Sequence, residues 1–312
     1  MRPARAAALL AALTFAAAAP ASSKAAPACR IDPARVAPWS DFEHMKQTEP
    51  PLVVEYKGCG KRLLYAAVMH ANDPKGATFQ AVRAAFARRP IDFVIVEGFP
   101  EAFGTSPRAM LDYSRHVAGT PEDAEPFLAI RLAVEVGAGF SGGEPTDVEV
   151  AAASGLSLTD LFGFYVLRQI EQWEREQRIS GPTDPRLGHQ IEAYAPIFAA
   201  DTGVSAQAVS GVATLEGWSA WYRRVDGVPF AQGYRHEDAY PTGSGARPTN
   251  RMSDQVADVR DRHIVAVVAR ALAAHDNVLV VYGASHQVVE GPALKAAFGV
   301  PKRVALRLEP GK

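Results

Sequence analysis

The chain has 312 residues, with 33 basic and 34 acidic side chains and a formal net charge of −1. That balance excludes the basic surplus by which proteins grip nucleic-acid phosphates. A hydrophobic share of 48 % against 21 % charged residues excludes intrinsic disorder over most of the length. The two cysteines are too few for a disulfide scaffold or a four-cysteine zinc site.

Arg2 and Arg5 precede an uncharged run over 6–19, too short to span a bilayer and the right length for a signal-peptide core. Residues 1–21 therefore read as a signal peptide, with Ala19 and Ala21 as the small residues before the cleavage site. A second site precedes Cys29, where Ala26 and Pro27 make a poor lipidation motif. No later run is apolar for long enough to cross a membrane, so the expectation is an exported protein, periplasmic or secreted, without a membrane span. In that oxidising setting Cys29 and Cys59 are expected to form a disulfide bond, worth about 3–4 kcal/mol in the chain-entropy model.

Residues 22–50 read as an extended arm, and 51–312 as a single α/β domain. Strands are expected over 51–56 (PLVVEY) and 63–69 (LLYAAVM), joined as a hairpin through Lys57-Gly58-Cys59-Gly60. A helix over 76–89 places Phe79, Val82 and Phe86 on one face, and a strand follows over 91–96 (IDFVIV). Strand, helix and strand make a βαβ unit, whose strands run parallel. A further strand is expected over 127–136, ending in the Gly-rich run 137–143, then an amphipathic helix over 158–176. Residues 177–250 read as a loop-rich helical insertion packed around Trp218, Trp221 and Tyr222. The last third predicts a helix from a Ser253 cap to Ala274, a buried strand over 277–282 (NVLVVY) and a tight loop at 283–286. A short helix over 290–298 and a strand over 303–308 complete a mixed, mainly parallel sheet flanked by helices.

Three polar residues fall just beyond the carboxyl ends of expected strands: His70, Glu97 and His286. In open α/β sheets ligands bind outside those ends. Two imidazoles and a carboxylate gathered there suit a divalent metal (manganese, zinc, cobalt or iron), with positions left for water and substrate. A second constellation competes. Gly139-Phe140-Ser141-Gly142-Gly143 satisfies G-x-S-x-G, and Ser141, an aspartate (Asp238 or Asp254) and His286 follow in α/β-hydrolase order. A nucleophile elbow needs a helix starting at the serine, however, and Gly142, Gly143 and Pro145 follow at once. A third reading is a domain that binds a ligand without turnover.

The segment 260–299 resembles the C-terminal signature of the TraB/TIKI/GumN family, which groups with erythromycin-esterase-like and ChaN-like proteins. Arg260-Asp261 lies in the helix, the hydrophobic strand follows, and Gly283-Ala284-Ser285-His286 supplies Gly-x-x-His before a short helix. The family's first Gly-x-x-His is matched by Ala67-Val68-Met69-His70, with the histidine kept and the glycine lost. The strand-end glutamate corresponds to Glu97, and one in a Gly-x-Glu context to Glu144. The resemblance spans 51–100 and 253–308. It implies a metal-dependent hydrolase of peptide or ester bonds, using metal-activated water on a small-molecule or peptide substrate. His70 and His286 would be metal ligands, Glu97 or Glu144 a ligand or base, and Arg260 would orient Asp261 or stabilise an oxyanion. The ChaN-like branch implies instead a non-catalytic ligand-binding protein.

Overall fold

A computed structural model describes residues 30–71, 73–101, 107–120, 122–241 and 247–306. The expected signal peptide, the beginning of the arm, Cys29 with its expected bond to Cys59, and the end of the expected last strand lie outside the described residues.

Strands β1 (Leu52–Gly58) and β2 (Lys61–Val68) form the expected hairpin, antiparallel from the Leu52–Ala67 pair to the Gly58–Lys61 pair. Helix α1 (Ala77–Phe86) buries Phe79, Val82 and Phe86 and leads into β3 (Phe93–Pro100). β2 and β3 run parallel, as the βαβ reading requires, yet they are not neighbours. Strand β5 (Asn277–Gly283) lies between them, parallel to both. The sheet order is β4-β3-β5-β2-β1-β6, with β4 (Gly139–Glu144) parallel to β3 and β6 (Lys302–Val304) antiparallel to β1. The fold is thus α/β, a mixed and mainly parallel sheet flanked by helices.

The central strands are apolar on both sides because both faces are covered. Leu63, Tyr65, Val278, Val280 and Tyr282 pack on α9 (Pro248–Ala274) and α10 (Ala284–Phe298). Leu64, Ala66, Leu279 and Val281 pack with α1, α2 (Pro107–His116) and α3 (Glu125–Val136) on the other face. A second core lies among helices α4 (Asp147–Ser154), α5 (Leu158–Arg175), α6 (Leu187–Thr202), α7 (Leu215–Asp226) and α8 (Phe230–Gly233). Trp218, Trp221 and Tyr222 are buried in it, so residues 177–250 carry more helix than a loop-rich reading allows. Among the described residues no single helix is long and apolar enough to cross a membrane.

Several expected elements are corrected. Residues 127–136 are helix α3, not a strand: Pro126 stands in its first turn and Gly137 caps its end at φ 74°. The apolar run is compatible with either period, and those two end signals decide it. Ser253 does not begin a helix. It lies inside α9, where its hydroxyl donates to the Ala239 carbonyl at 2.8 Å. Residues 283–286 are not a loop, because α10 starts at Ala284 directly after β5. The arm is not simply extended either. It makes 3-10 turns at Pro33–Arg35 and Trp39–His44 and buries Trp39.

The G-x-S-x-G segment is strand β4, with Ser141 opposite Ile95 and the strand continuing to Glu144. No helix starts at Ser141, so it is not a nucleophile elbow. The glycines serve close approach instead. A Cβ on Gly142 would lie 2.1 Å from the Phe99 carbonyl oxygen, where the β3–β4 register shifts. Backbone cannot swing aside as a side chain does. Gly142→Ala is expected to cost about 2 kcal/mol or more in urea unfolding. Ser141→Ala is expected to stay within about 1 kcal/mol and to leave any hydrolytic activity intact.

Candidate metal and catalytic centre

The carboxyl ends of four neighbouring strands bring the expected residues to one edge of the sheet. His70 follows β2, Glu97 lies within β3, Glu144 ends β4, and His286 sits in the first turn of α10 after β5. Glu97 is the meeting point. Its Oε2 accepts the Gly283 backbone N–H at 2.7 Å and lies 3.5 Å from His70 Nε2. Its Oε1 lies 3.6 Å from His286 Nε2 and 3.4 Å from Arg260 Nη2.

Each imidazole is anchored from behind by another carboxylate. His70 Nδ1 meets Oε1 of buried Glu125, the first residue of α3, at 2.5 Å. His286 Nδ1 meets Oδ1 of buried Asp261 at 2.6 Å, and Asp261 Oδ2 accepts from Trp39 Nε1 at 2.7 Å. A proton on each Nδ1 satisfies these bonds and leaves both Nε2 atoms turned toward Glu97. The His70 side chain is 62 % exposed and that of His286 8 %, so the cluster has one open flank, at His70.

These contacts move the titrations. The Glu125 hydrogen bond, then that of Glu97, holds the His70 proton and pushes its pKa up to about 10. Burial alone would lower His286, but the Asp261 charge and hydrogen bond outweigh it and leave the pKa raised. Burial would raise Glu97, but the His70 hydrogen bond and the charges of His286, His70 and Arg260 keep it below the usual carboxylate range. Burial likewise opposes the ionised form of Glu144, and Arg260 overcomes it.

Arg260 does not orient Asp261. It forks onto Glu144 through Nε (2.7 Å) and Nη2 (2.6 Å), and the Tyr282 hydroxyl donates to the same carboxylate at 2.7 Å. Glu144 is therefore engaged as the counter-ion of Arg260, and Glu97 is the carboxylate that faces both imidazoles. Gly283 forms the floor. A Cβ there would come within 3.3 Å of Glu97 Oε2 and His286 Cδ2 and 3.4 Å of His70 Nε2.

Behind this cluster, Asp261, His286 and Glu290 form a buried group that could hold a metal ion. Glu290 is one helical turn beyond His286, and its fully buried carboxyl group lies beside Asp261 and Tyr65. Burial and the Asp261 charge raise its pKa well above the usual range. Sequence reasoning missed Glu290, Glu125 and Trp39. The i, i+4 spacing of His286 and Glu290 was a usable signal, hidden by reading 283–289 as outside a helix. Glu125 and Trp39 carry no local signal, since their partners lie 55 and 222 residues away. Of the other histidines, His236 pairs with Tyr234 and Glu174, His263 with Glu101, and His275 stacks on Phe93.

No family model matches the chain, and no curated protein or solved structure matches it.

The folded chain holds the His70 proton more tightly than an unfolded chain does. Its stabilisation is complete below pH 6.5 and is lost as pH rises through about 10. Glu125→Gln is expected to lower the His70 pKa toward 6.5 by more than about one unit, read by NMR titration of the ring. An unchanged titration would remove Glu125 as the anchor.

Proposed function

We propose that the protein is a metal-dependent hydrolase of peptide or ester bonds, the activity implied by its resemblance to the TraB/TIKI/GumN family. The observation that supports this reading is the paired geometry at the sheet edge: two imidazoles, each bonded through Nδ1 to a buried carboxylate, both turn Nε2 to Glu97. Metal-binding histidines are held in this way by carboxylates behind them. His70, His286 and Glu97 would hold the cation, and a donor set of two nitrogens and a carboxylate suits manganese, zinc, cobalt or iron rather than calcium. When bound, a divalent cation in such a site polarises a carbonyl and makes water more acidic.

The chain's own residues supply the remainder. Glu125 and Asp261 fix the tautomer and direction of the two rings. Arg260, held by Glu144, brings positive charge beside Glu97, where it favours a developing oxyanion. The exposed flank of His70 is the side from which substrate would enter.

A second placement of the ion has its own support, since Asp261, His286 and Glu290 also gather ligand atoms. There, Asp261 would give up its hydrogen bond with His286. Three single variants separate the two placements. After reconstitution with manganese, zinc or cobalt, the parent is expected to bind near-stoichiometric ion, and His286→Ala to lose it. Loss in His70→Ala with retention in Glu290→Gln places the ion beside Glu97, and the reverse places it behind. Because the His70 proton must leave first, affinity at the outer position should rise with pH toward about 10. A folded parent that takes up no ion at alkaline pH, or that takes one up yet cleaves no ester or peptide in a broad panel, would overturn the hydrolase reading.

A further inference from the structure

The segment ahead of β1 reaches into the back of the centre. Its Trp39 is 4 % exposed and donates its indole N–H to Asp261 Oδ2 at 2.7 Å, while Oδ1 of the same carboxylate meets His286 Nδ1 at 2.6 Å. The indole also stands against the His286 ring itself, with centroids 5.6 Å apart and planes at 83°. Tyr282 meets that imidazole in a similar way, at 5.5 Å and 84°. His286 is thus held by one carboxylate and two aromatic rings, and Trp39 touches both the imidazole and the carboxylate.

The contacts on either side of Trp39 fasten it there. The Ala37 backbone N–H donates to the Val289 carbonyl at 2.9 Å. Ile31 and Val36 are buried against the sheet core before it, and Phe42 and Met45 pack after it with Ala257 and Val289. Residues 46–49, which lead on to β1, are exposed, so the arm is held by its own docking rather than by the strand that follows. Packing alone does not require an indole. Phenylalanine or leucine would fill an apolar niche between α9 and α10, and neither side chain could donate to Asp261. A buried carboxylate that accepts at both oxygens has its plane fixed, and so has the imidazole on its other side.

We propose that the N-terminal arm is a functional part of the centre and that Trp39 is a positioning residue, which acts on His286 through Asp261. The proposal rests on the cluster being the functional centre, as the hydrolase reading has it, and not on the bond cleaved or the ion held. The indole N–H keeps Asp261 Oδ1 on His286 Nδ1, so that the ring presents Nε2 to Glu97. Without it, one oxygen of Asp261 loses its donor and the carboxylate can rotate away from the imidazole. An arm that undocks would then release the second imidazole, while His70, held by Glu125 on the far side of Glu97, keeps its own anchor.

Proton NMR of the full chain reads the contact with neither metal nor substrate present. The parent is expected to show a low-field His286 Nδ1–H resonance that exchanges slowly with water. Trp39→Phe keeps an aromatic ring and removes the donor, and should shift that resonance and speed its exchange about tenfold or more. The benzothienyl analogue of tryptophan placed at this position, with sulfur where the N–H stands, should do the same with the bicyclic packing kept. Phe42→Leu loosens the arm but leaves the donor, and should leave the resonance in place. In a manganese titration, Trp39→Phe should weaken binding about tenfold without changing the stoichiometry. A His286 resonance unchanged in both replacements of Trp39 would overturn the proposal, as would manganese affinity equal to the parent's. So would a change in Phe42→Leu as large as theirs, since packing would then suffice. A parent that binds no manganese would remove the metal from the centre, and the NMR comparison would still decide the role of Trp39.

Discussion

A carboxylate buried between two imidazoles and a guanidinium governs this molecule. Glu97 is nearly inaccessible, and an ionised carboxylate in such a place is tolerable only if every surrounding element delivers its charge. His70 arrives with β2, His286 with β5 and α10, and Arg260 with α9. Those groups need partners of their own, supplied by Glu125, Asp261 and Glu144. With both imidazoles protonated, the cluster is nearly balanced in charge. A divalent cation at the proposed position beside Glu97 would compete with protons for the same ring nitrogens. The raised histidine pKa values thus follow from the carboxylates gathered around the two rings.

Helix α9 joins this cluster to the rest of the fold. Its 27 residues run from the helical core, where Val256 is buried, to the sheet core, where Ile264, Val265, Val267 and Val268 are buried. Arg260 and Asp261 fall at the passage between them. Successive residues on a helix diverge by about 100°, so one turns to Glu144 and Glu97 and the other to His286 and Trp39. A cavity of about 940 Å³, lined by Glu144 and Arg260 on one side and Val150, Tyr165 and Tyr194 of the helical core on the other, opens beside the cluster.

Much of the sheet could be read from the sequence because its signals are local. The hairpin has its turn, and Val278 to Tyr282 is an unbroken apolar run between Asn277 and Gly283. His70 and Glu97 are legible because a polar residue directly after such a run marks a strand end, His286 because it follows the run through Gly283-Ala284-Ser285, and Glu144 through a short motif. What stayed hidden depends on distance or on periodicity that short runs do not resolve. Helix α3 looked like a strand because ten consecutive residues contain too few polar positions to set the period, and Pro126 and Gly137 were the better guides. Trp39 could not be linked to Asp261, nor Glu125 to His70, because nothing near either residue in sequence announces the contact.

The sheet order carries a further consequence, for the time at which the site comes into being. β5 is the fifth strand in the chain, yet it lies between β2 and β3 and is the strand that joins them. Until it is in place, the β1–β2 hairpin and the β3–β4 pair are separate pieces with open hydrogen-bonding edges. His286 follows β5 by three residues and stands in the first turn of the helix that covers the closed sheet. The strand that completes the hydrogen-bonded scaffold therefore delivers the second imidazole. A half-folded chain has no assembled cluster, and the meeting of His70, Glu97 and His286 waits on the closure of the sheet.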